Sequence, residues 1–236
     1  DQVDLQAASE KGIVVTNTPG ANSASVSELA LSMILSLARK VPYAVQALKK
    51  GDWPRLPGWT LEDKTIGIIG LGAIGKHLAR RLTSFNCRII SHDPYVDKTF
   101  AQELDITMVD LPALLAKSDI VSIHVPVLDE TRGMVDDEFI KSMKEGSILI
   151  NTSRGELVDE EALIEGLQSG HLRGAGLDAF SKEPPDIDNP LLSMSQVICT
   201  PHLGAQTDGA TNNMGKMALD ECLRVLQGEK SLYQVN

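Results

Sequence analysis

The stretch TIGIIGLGAIGKHLARRL, residues 65–82, decides how this chain is read. A strand-like apolar run, TIGII, ends in the glycine pattern Gly70-x-Gly72-x-x-Gly75, and helix-like AIGKHLARRL follows directly. The glycines have separate mechanical jobs in such a strand–turn–helix: Gly70 makes the tight turn, Gly72 lets backbone approach a pyrophosphate, and Gly75 lets helix pack closely on strand. The helix N-terminus offers unpaired N–H groups and a partial positive charge to phosphates. Asp93 closes the next strand-like run, RIISHD, where its carboxylate can accept from both ribose hydroxyls and would repel a 2′-phosphate. NAD rather than NADP is the cofactor these residues imply.

Outward from that stretch the pattern is rhythmic. DIVSIHV, SILIN, GAGLDAF and QVICT read as further strands, with helical segments such as DEEALIEGLQSG between several of them. Short apolar runs alternating with helices predict an α/β fold with a doubly wound parallel sheet covered on both faces. Upstream, DQVDLQAASEKGIVV reads as a helix and then a strand, closed by the turn signal Thr16-Asn17-Thr18-Pro19-Gly20. SVSELALSMILSLARK is an amphipathic helix for which Ser25 and Glu28 form a capping box. The segment rich in Gly, Pro and Trp, GDWPRLPGWT, marks a boundary, and ATNNMGKMALDECLRVLQGE is a last amphipathic helix.

Composition narrows the function classes. The 236 residues are 42% hydrophobic and 23% charged, ordinary for a soluble globular protein. A net charge of −10 argues against nucleic acid as a partner, since that binding needs a basic footprint. No apolar run approaches the roughly 18 residues of a membrane span. Cys87, Cys199 and Cys222 are odd in number, far apart and without a CxxC pair, which fits a reducing, cytoplasmic setting and predicts no metal site.

Three charged residues sit just beyond strand-like runs, where open α/β sheets place ligands: Arg154 after SILINTS, Glu183 after LDAFSK and His202 after VICTP. An arginine fork suits a small carboxylate. A histidine beside a carboxylate suits reversible proton transfer, because the negative charge favours imidazolium and fixes the ring. On a dinucleotide fold, the three together predict hydride chemistry.

The blocks TNTPGANSASVSELAL, GIIGLGAIGKHLA, SIHVPVLDETRGMVDDEFIKSMKEGSILINTSRGELVDEEAL, GAGLDAFSKEPP and CTPHLGAQT resemble, in order, those of the D-isomer-specific 2-hydroxyacid dehydrogenases, the group that includes D-3-phosphoglycerate dehydrogenase. The resemblance implies a Rossmann NAD-binding domain over residues 53–205 and a remnant of a second, flavodoxin-like substrate domain over 1–24. A crossing helix over 25–52 and a C-terminal helix over 206–236 returning to the substrate domain complete the arrangement. Arg154, Glu183 and His202 match the family's catalytic arginine, glutamate and histidine. Gly70, Gly72, Ala73, Ile74, Gly75, Asp93, His124, Val125, Pro126, Thr152, Ser153, Arg154, Asp178, His202 and Gly204 match positions that line NAD, with Asp178 expected at the nicotinamide carboxamide. Asn22, Arg154 and His202 match positions facing substrate.

The activity so implied is interconversion of a D-2-hydroxy acid and its 2-oxo acid, with 3-phosphoglycerate or glycerate/hydroxypyruvate as substrate, in a homodimer formed through the NAD domain. Family members carry most of a substrate-domain lobe ahead of the segment matched from Asp1, so the sequence as written is expected to bind NAD and to be poor at chemistry. The rival expectation is a dehydrogenase-like NAD-binding corepressor or assembly protein, which would keep the same three residues.

Overall fold

A computed structural model describes residues 3–95 and 97–236. The chain divides into two compact units, Val26–Gly204 and a second made of Asp1–Ser25 with Ala205–Asn236.

In the larger unit seven strands run parallel: β1 Thr65–Ile69, β2 Arg88–His92, β3 Thr107–Met108, β4 Ile120–Ile123, β5 Ser147–Asn151, β6 Leu172–Leu177 and β7 Val197–Cys199. Their order across the sheet is β3-β2-β1-β4-β5-β6-β7. The order reverses direction between β1 and β4, and that switch point is where an open α/β sheet leaves a crevice beyond the strands' carboxyl ends.

Alternation along each central strand builds two cores. Ile148 and Ile150 of β5 point to one face, where they pack with Met33 and Ile34 of α2 (Ser23–Ala38) and Leu78 and Leu82 of α4 (Ala73–Leu82). Leu149 points to the other, with Phe139 and Ile140 of α7 (Asp137–Ser142) and Leu163 and Leu167 of α8 (Glu160–Gln168). Each of these side chains is nearly or fully buried. With both faces covered, the strands read as continuous apolar runs rather than as alternating ones. Among the described residues this unit also holds the short α-helices α3 (Val41–Lys49), α5 (Lys98–Glu103) and α6 (Leu111–Lys117).

The smaller unit holds α1 (Leu5–Glu10) and α9 (Asp208–Leu226). Glu221, buried within it, accepts hydrogen bonds from the Ser231 hydroxyl, the Leu232 N–H (2.9 Å) and the Tyr233 N–H (3.2 Å), and pairs with Arg224. The hydrogen bond from Ser231 comes first among the causes that hold its carboxyl below the usual range. The Asn236 side chain ties the chain end to Val15 and Ile13.

Three readings of local structure are corrected. Gly12–Val15 is not a strand; only an isolated antiparallel bridge joins Thr16 to Gln234, because no neighbouring strand among the described residues continues the ladder. Ser25 does not open its helix, which starts at Ser23, and Glu28 pairs with Arg81 on α4 at 2.7 Å instead of closing a capping box. Residues 25–52 are not one helix: Lys40 takes the left-handed conformation (φ 54°) and α3 begins afresh after it.

Candidate active site

The chain leaves β1 through Gly70, whose φ of +91° a side chain rarely adopts. A Cβ there would also lie 2.6 Å from the His124 carbonyl oxygen, so the glycine lets the β1 turn lie against the end of β4. A Cβ on Gly75 would meet the Gly70 carbonyl at 2.1 Å, which explains the third glycine as helix-to-turn packing. Gly72 differs from both, since a Cβ on it would meet nothing within 4 Å. It caps α4 without a side-chain acceptor, so Ala73 and Ile74 open the first turn with no protein side chain capping their end of the helix. Asp93, just past β2, accepts the Leu71 N–H at 2.6 Å with one oxygen and the Tyr95 N–H at 2.7 Å with the other. Its carboxylate is therefore aimed by the glycine loop itself, with lone pairs left over for further donors.

Beyond β4 and β5 the register Ile123↔Asn151 sets His124 and Thr152 side by side. Ser153 is tied down on both sides: its hydroxyl donates to the Ile123 carbonyl at 2.8 Å and its N–H to the Asn151 side chain at 3.0 Å. His124 shares one hydrogen bond with the Ser122 hydroxyl through Nε2 at 2.9 Å, while its Nδ1 and the Thr152 hydroxyl are shielded from solvent with no partner. Loss of solvation pushes the His124 pKa down to about 4, so the ring is neutral at pH 7. Shielded polar atoms without partners are costly and call for a ligand or solvent to satisfy them. Val125 is half-buried and Pro126 exposed just beyond.

Past β6, Asp178 is buried and holds three donors: the Thr200 hydroxyl (2.5 Å), the Leu203 N–H (2.7 Å) and the Gly204 N–H (2.8 Å). These bonds shape the turn that carries His202 in the left-handed region, φ 53°. The family resemblance implied Asp178 as a cofactor contact and gave no sign of this second job, which was legible only once Thr200, Leu203 and Gly204 were brought to it. His202 Nδ1 lies 2.9 and 3.1 Å from the two carboxylate oxygens of Glu183. That contact leaves Nε2 as the nitrogen open to a reacting oxygen. Burial pushes the Glu183 pKa up, but the hydrogen bond from His202, the Phe180 N–H and the charges of His202 and Arg154 outweigh it, and the net direction is down.

Arg154 is exposed, with its guanidinium donating to the Ser153 carbonyl at 2.9 Å and its own carbonyl held by Asn151. The following Gly155 packs so closely on the Phe180–Ser181 backbone that a Cβ would sit 1.8 Å from the Phe180 carbonyl carbon. The Arg154 turn and the Glu183 loop are thus in direct contact, a constraint sequence reasoning missed. Asn22 lies in the smaller unit, half-buried just ahead of α2.

The arrangement fits a dinucleotide: an open approach at Gly72, an aimed acid at Asp93 and two unsatisfied polar atoms at the ends of β4 and β5. Comparison with known proteins agrees. Residues 31–204 match the family described as D-isomer specific 2-hydroxyacid dehydrogenase, NAD binding domain, which makes NAD the cofactor. The D-3-phosphoglycerate dehydrogenase of Methanocaldococcus jannaschii is 42% identical over 239 residues, covering 100% of this chain and 45% of that protein. The hydroxypyruvate reductase of Thermotoga maritima is 43% identical over 230 residues, covering 96% and 74%. Among solved structures, the TT0316 protein of Thermus thermophilus superposes with a TM-score of 0.92 at 36% identity, covering 100% of this chain and 76% of that one. The chain spans about half the length of most of the curated relatives it matches. With one family matched from α2 to the turn that carries His202, and relatives above 40% identity along the whole chain, this chain belongs to the D-isomer specific 2-hydroxyacid dehydrogenases.

Proposed function

We propose that this chain carries the NAD-dependent centre of an enzyme interconverting a D-2-hydroxy acid and its 2-oxo acid, with 3-phosphoglycerate or the glycerate/hydroxypyruvate pair as substrate. The observation that carries the reading is the His202–Glu183 pair, 2.9 Å apart beyond the carboxyl ends of the same parallel strands that carry the glycine loop. NAD, when bound, supplies the acceptor or donor of the hydride. Gly70, Gly72, Ala73, Ile74 and Gly75 would hold its diphosphate, Asp93 its adenosine ribose, and His124, Val125, Pro126, Thr152, Ser153, Asp178 and Gly204 the rest.

In the oxidising direction His202 Nε2 takes the proton of the substrate hydroxyl as the C–H bond gives up its hydride; in the reverse direction it returns that proton to the developing alkoxide. Glu183 orients the ring through Nδ1 and balances the imidazolium. Arg154 holds the carboxylate and stabilises charge on the adjacent oxygen in the transition state. Asn22 keeps the substrate-facing role that the family resemblance implies. The near-equal identity to phosphoglycerate and hydroxypyruvate relatives supports naming both substrates.

We extend the reading to a cytoplasmic homodimer joined through the NAD domain. Among the described residues no helix is long and apolar enough to cross a membrane, and Val41, Val45 and Leu48 leave α3 an exposed apolar face. Light scattering that returned only the monomer mass would remove the dimer.

The direct test is NADH oxidation by the protein that carries this chain, across phosphohydroxypyruvate, hydroxypyruvate, glyoxylate, pyruvate and a branched-chain oxo acid. One acid should be preferred, and His202→Ala should lower its turnover about 10²–10⁴-fold with NADH affinity unchanged, the usual weight of a positioned acid–base group. Tight NADH binding with no acid turned over would replace the enzyme with the NAD-binding assembly protein.

A further inference from the structure

Glu183 reaches His202 from residues 181–189, a segment that belongs to no helix or strand. The two side chains are 40% and 45% exposed, so packing alone does little to fix their angle. Beside the Phe180 N–H, which bonds the Glu183 carboxylate itself at 3.1 Å, a third carboxylate ties the two ends of the segment. One oxygen of Glu160 accepts the Ser181 N–H at 3.1 Å and the Ser181 hydroxyl at 2.9 Å, and the other accepts the Asn189 side-chain amide at 2.8 Å. These bonds grip the first and last residues of the segment. Glu160 is itself the first residue of α8, whose N-cap Asp159 is bonded to Glu161 and Ala162 and whose Leu163 and Leu167 are buried in the core. The anchor is therefore rigid while the segment it holds has no ladder of its own.

We propose that Glu160 is a positioning residue for the acid–base pair: by holding both ends of residues 181–189 it sets the Glu183 carboxylate against Nδ1 of His202. The role rests on the reading of His202 as proton carrier. The charged groups around Glu183 are His202 and Arg154, with Lys182 and Asp186 paired to each other at 2.5 Å on the same segment. Asp178 accepts three donors from the turn that carries His202: the Thr200 hydroxyl and the Leu203 and Gly204 N–H groups. The charge of Glu160 is felt on its other side too, where, after burial, it helps push the Cys199 thiol up to about 11.

The test reads Glu183 directly, by carboxyl-carbon NMR titration of the protein with and without Glu160→Ala. Loss of the clamp lets Glu183 drift from His202, so its pKa should rise toward the ordinary carboxylate value by about half a unit or more. Turnover should fall roughly tenfold with the KM for NADH unchanged, a partial loss of the acid–base contribution. A rescue separates positioning from folding. Glu160→Gln presents an amide donor to the Asn189 amide and breaks that bond; adding Asn189→Asp supplies an acceptor and should restore both the Glu183 titration and turnover.

An unchanged Glu183 titration in a folded Glu160→Ala protein overturns the proposal, as does lost turnover with the titration intact. If Glu160→Ala does not fold, Glu160→Gln and the double variant that adds Asn189→Asp decide: recovery in the double variant supports the clamp, and equal behaviour of the two overturns it. The NMR arm needs no turnover. A Glu183 titration that responds to Glu160 in a protein with no oxo-acid activity would therefore sink the dehydrogenase reading and leave the clamp standing.

Discussion

The two ends of the parallel sheet treat their polar groups in opposite ways. Where the strands begin, Asp119 just before β4 receives the Thr65 N–H at 2.8 Å and Lys144 at 2.7 Å, and the buried Ser118 hydroxyl donates to the Leu114 carbonyl at 2.6 Å. Where the strands finish, His124 Nδ1 and the Thr152 hydroxyl have no partner, Gly70 sits at φ +91° and His202 at +53°. Ser147, at the start of β5, departs from the rule with an unpartnered hydroxyl. Polar groups at the starting end complete one another and stabilise the fold. At the finishing end Ser153 and Asp178 are partnered within the fold, but His124 Nδ1 and the Thr152 hydroxyl are left incomplete, so their satisfaction depends on what binds.

The sharpest way to break this contrast is acid. His124 has a folded-state pKa of about 4 against an ordinary value of 6.5, so the unfolded chain takes up its proton first. The ring's contribution to stability is therefore complete above pH 6.5 and is lost as pH falls toward 4. At 1.36 kcal/mol per unit the full gap is worth about 3 kcal/mol, and the half-buried ring with some residual solvation should show about 2 kcal/mol. Depressed carboxylates such as Asp119 and Glu183 lose stability in the lower part of the same range, so the measurement is a difference. Urea midpoints at pH 7.5 and 4.5, followed by Trp59 fluorescence, should shift less in His124→Asn than in the parent. Equal shifts would mean that the ring is not held neutral.

How much of this was legible beforehand depends on how local the cause is. The β1 turn was readable because its glycines answer constraints within a few residues: a positive φ at Gly70 and a close approach between Gly75 and Gly70. The strands β4 to β7 were readable because burial on two faces makes them short apolar runs. The two-residue β3 had too little sequence to register, whereas the break at Lys40 was announced by Pro42 in the first turn of α3, a signal that the reading of 25–52 as one helix passed over. Ser25 and Glu28 had the spacing of a capping box, but Arg81, distant in sequence, claimed the glutamate. At the site, the residue types Arg154, Glu183 and His202 stood out by chemistry. Their supports did not, because Glu160 holding Ser181 and Asn189, and Asp178 holding Leu203 and Gly204, are contacts across more than twenty residues that no local pattern encodes.

A crossed pair of substitutions sharpens the comparison at smaller amplitude. Gly72 has ordinary backbone angles (φ −73°) and open space where a Cβ would go, so Gly72→Ala should leave stability within about 0.5 kcal/mol of the parent. The same methyl occupies the approach that a diphosphate needs, and NADH affinity should fall about tenfold, or roughly 1.4 kcal/mol. Asp119→Asn reverses the pattern. The amide can still accept the Thr65 N–H, but it loses the charge opposite Lys144 and the stronger hydrogen bond of an ionised acceptor, at a cost of about 1 kcal/mol in the urea midpoint. Asp119 stands at the end of the sheet away from Gly70, so NADH titration of the variant should match the parent. The contrast between the two ends fails if Gly72→Ala unfolds the protein as readily as it weakens NADH, or if Asp119→Asn weakens NADH at all. Either result would mean that the strands transmit strain from one end to the other, and that the glycine loop is part of the fold's stability rather than a surface held ready on it.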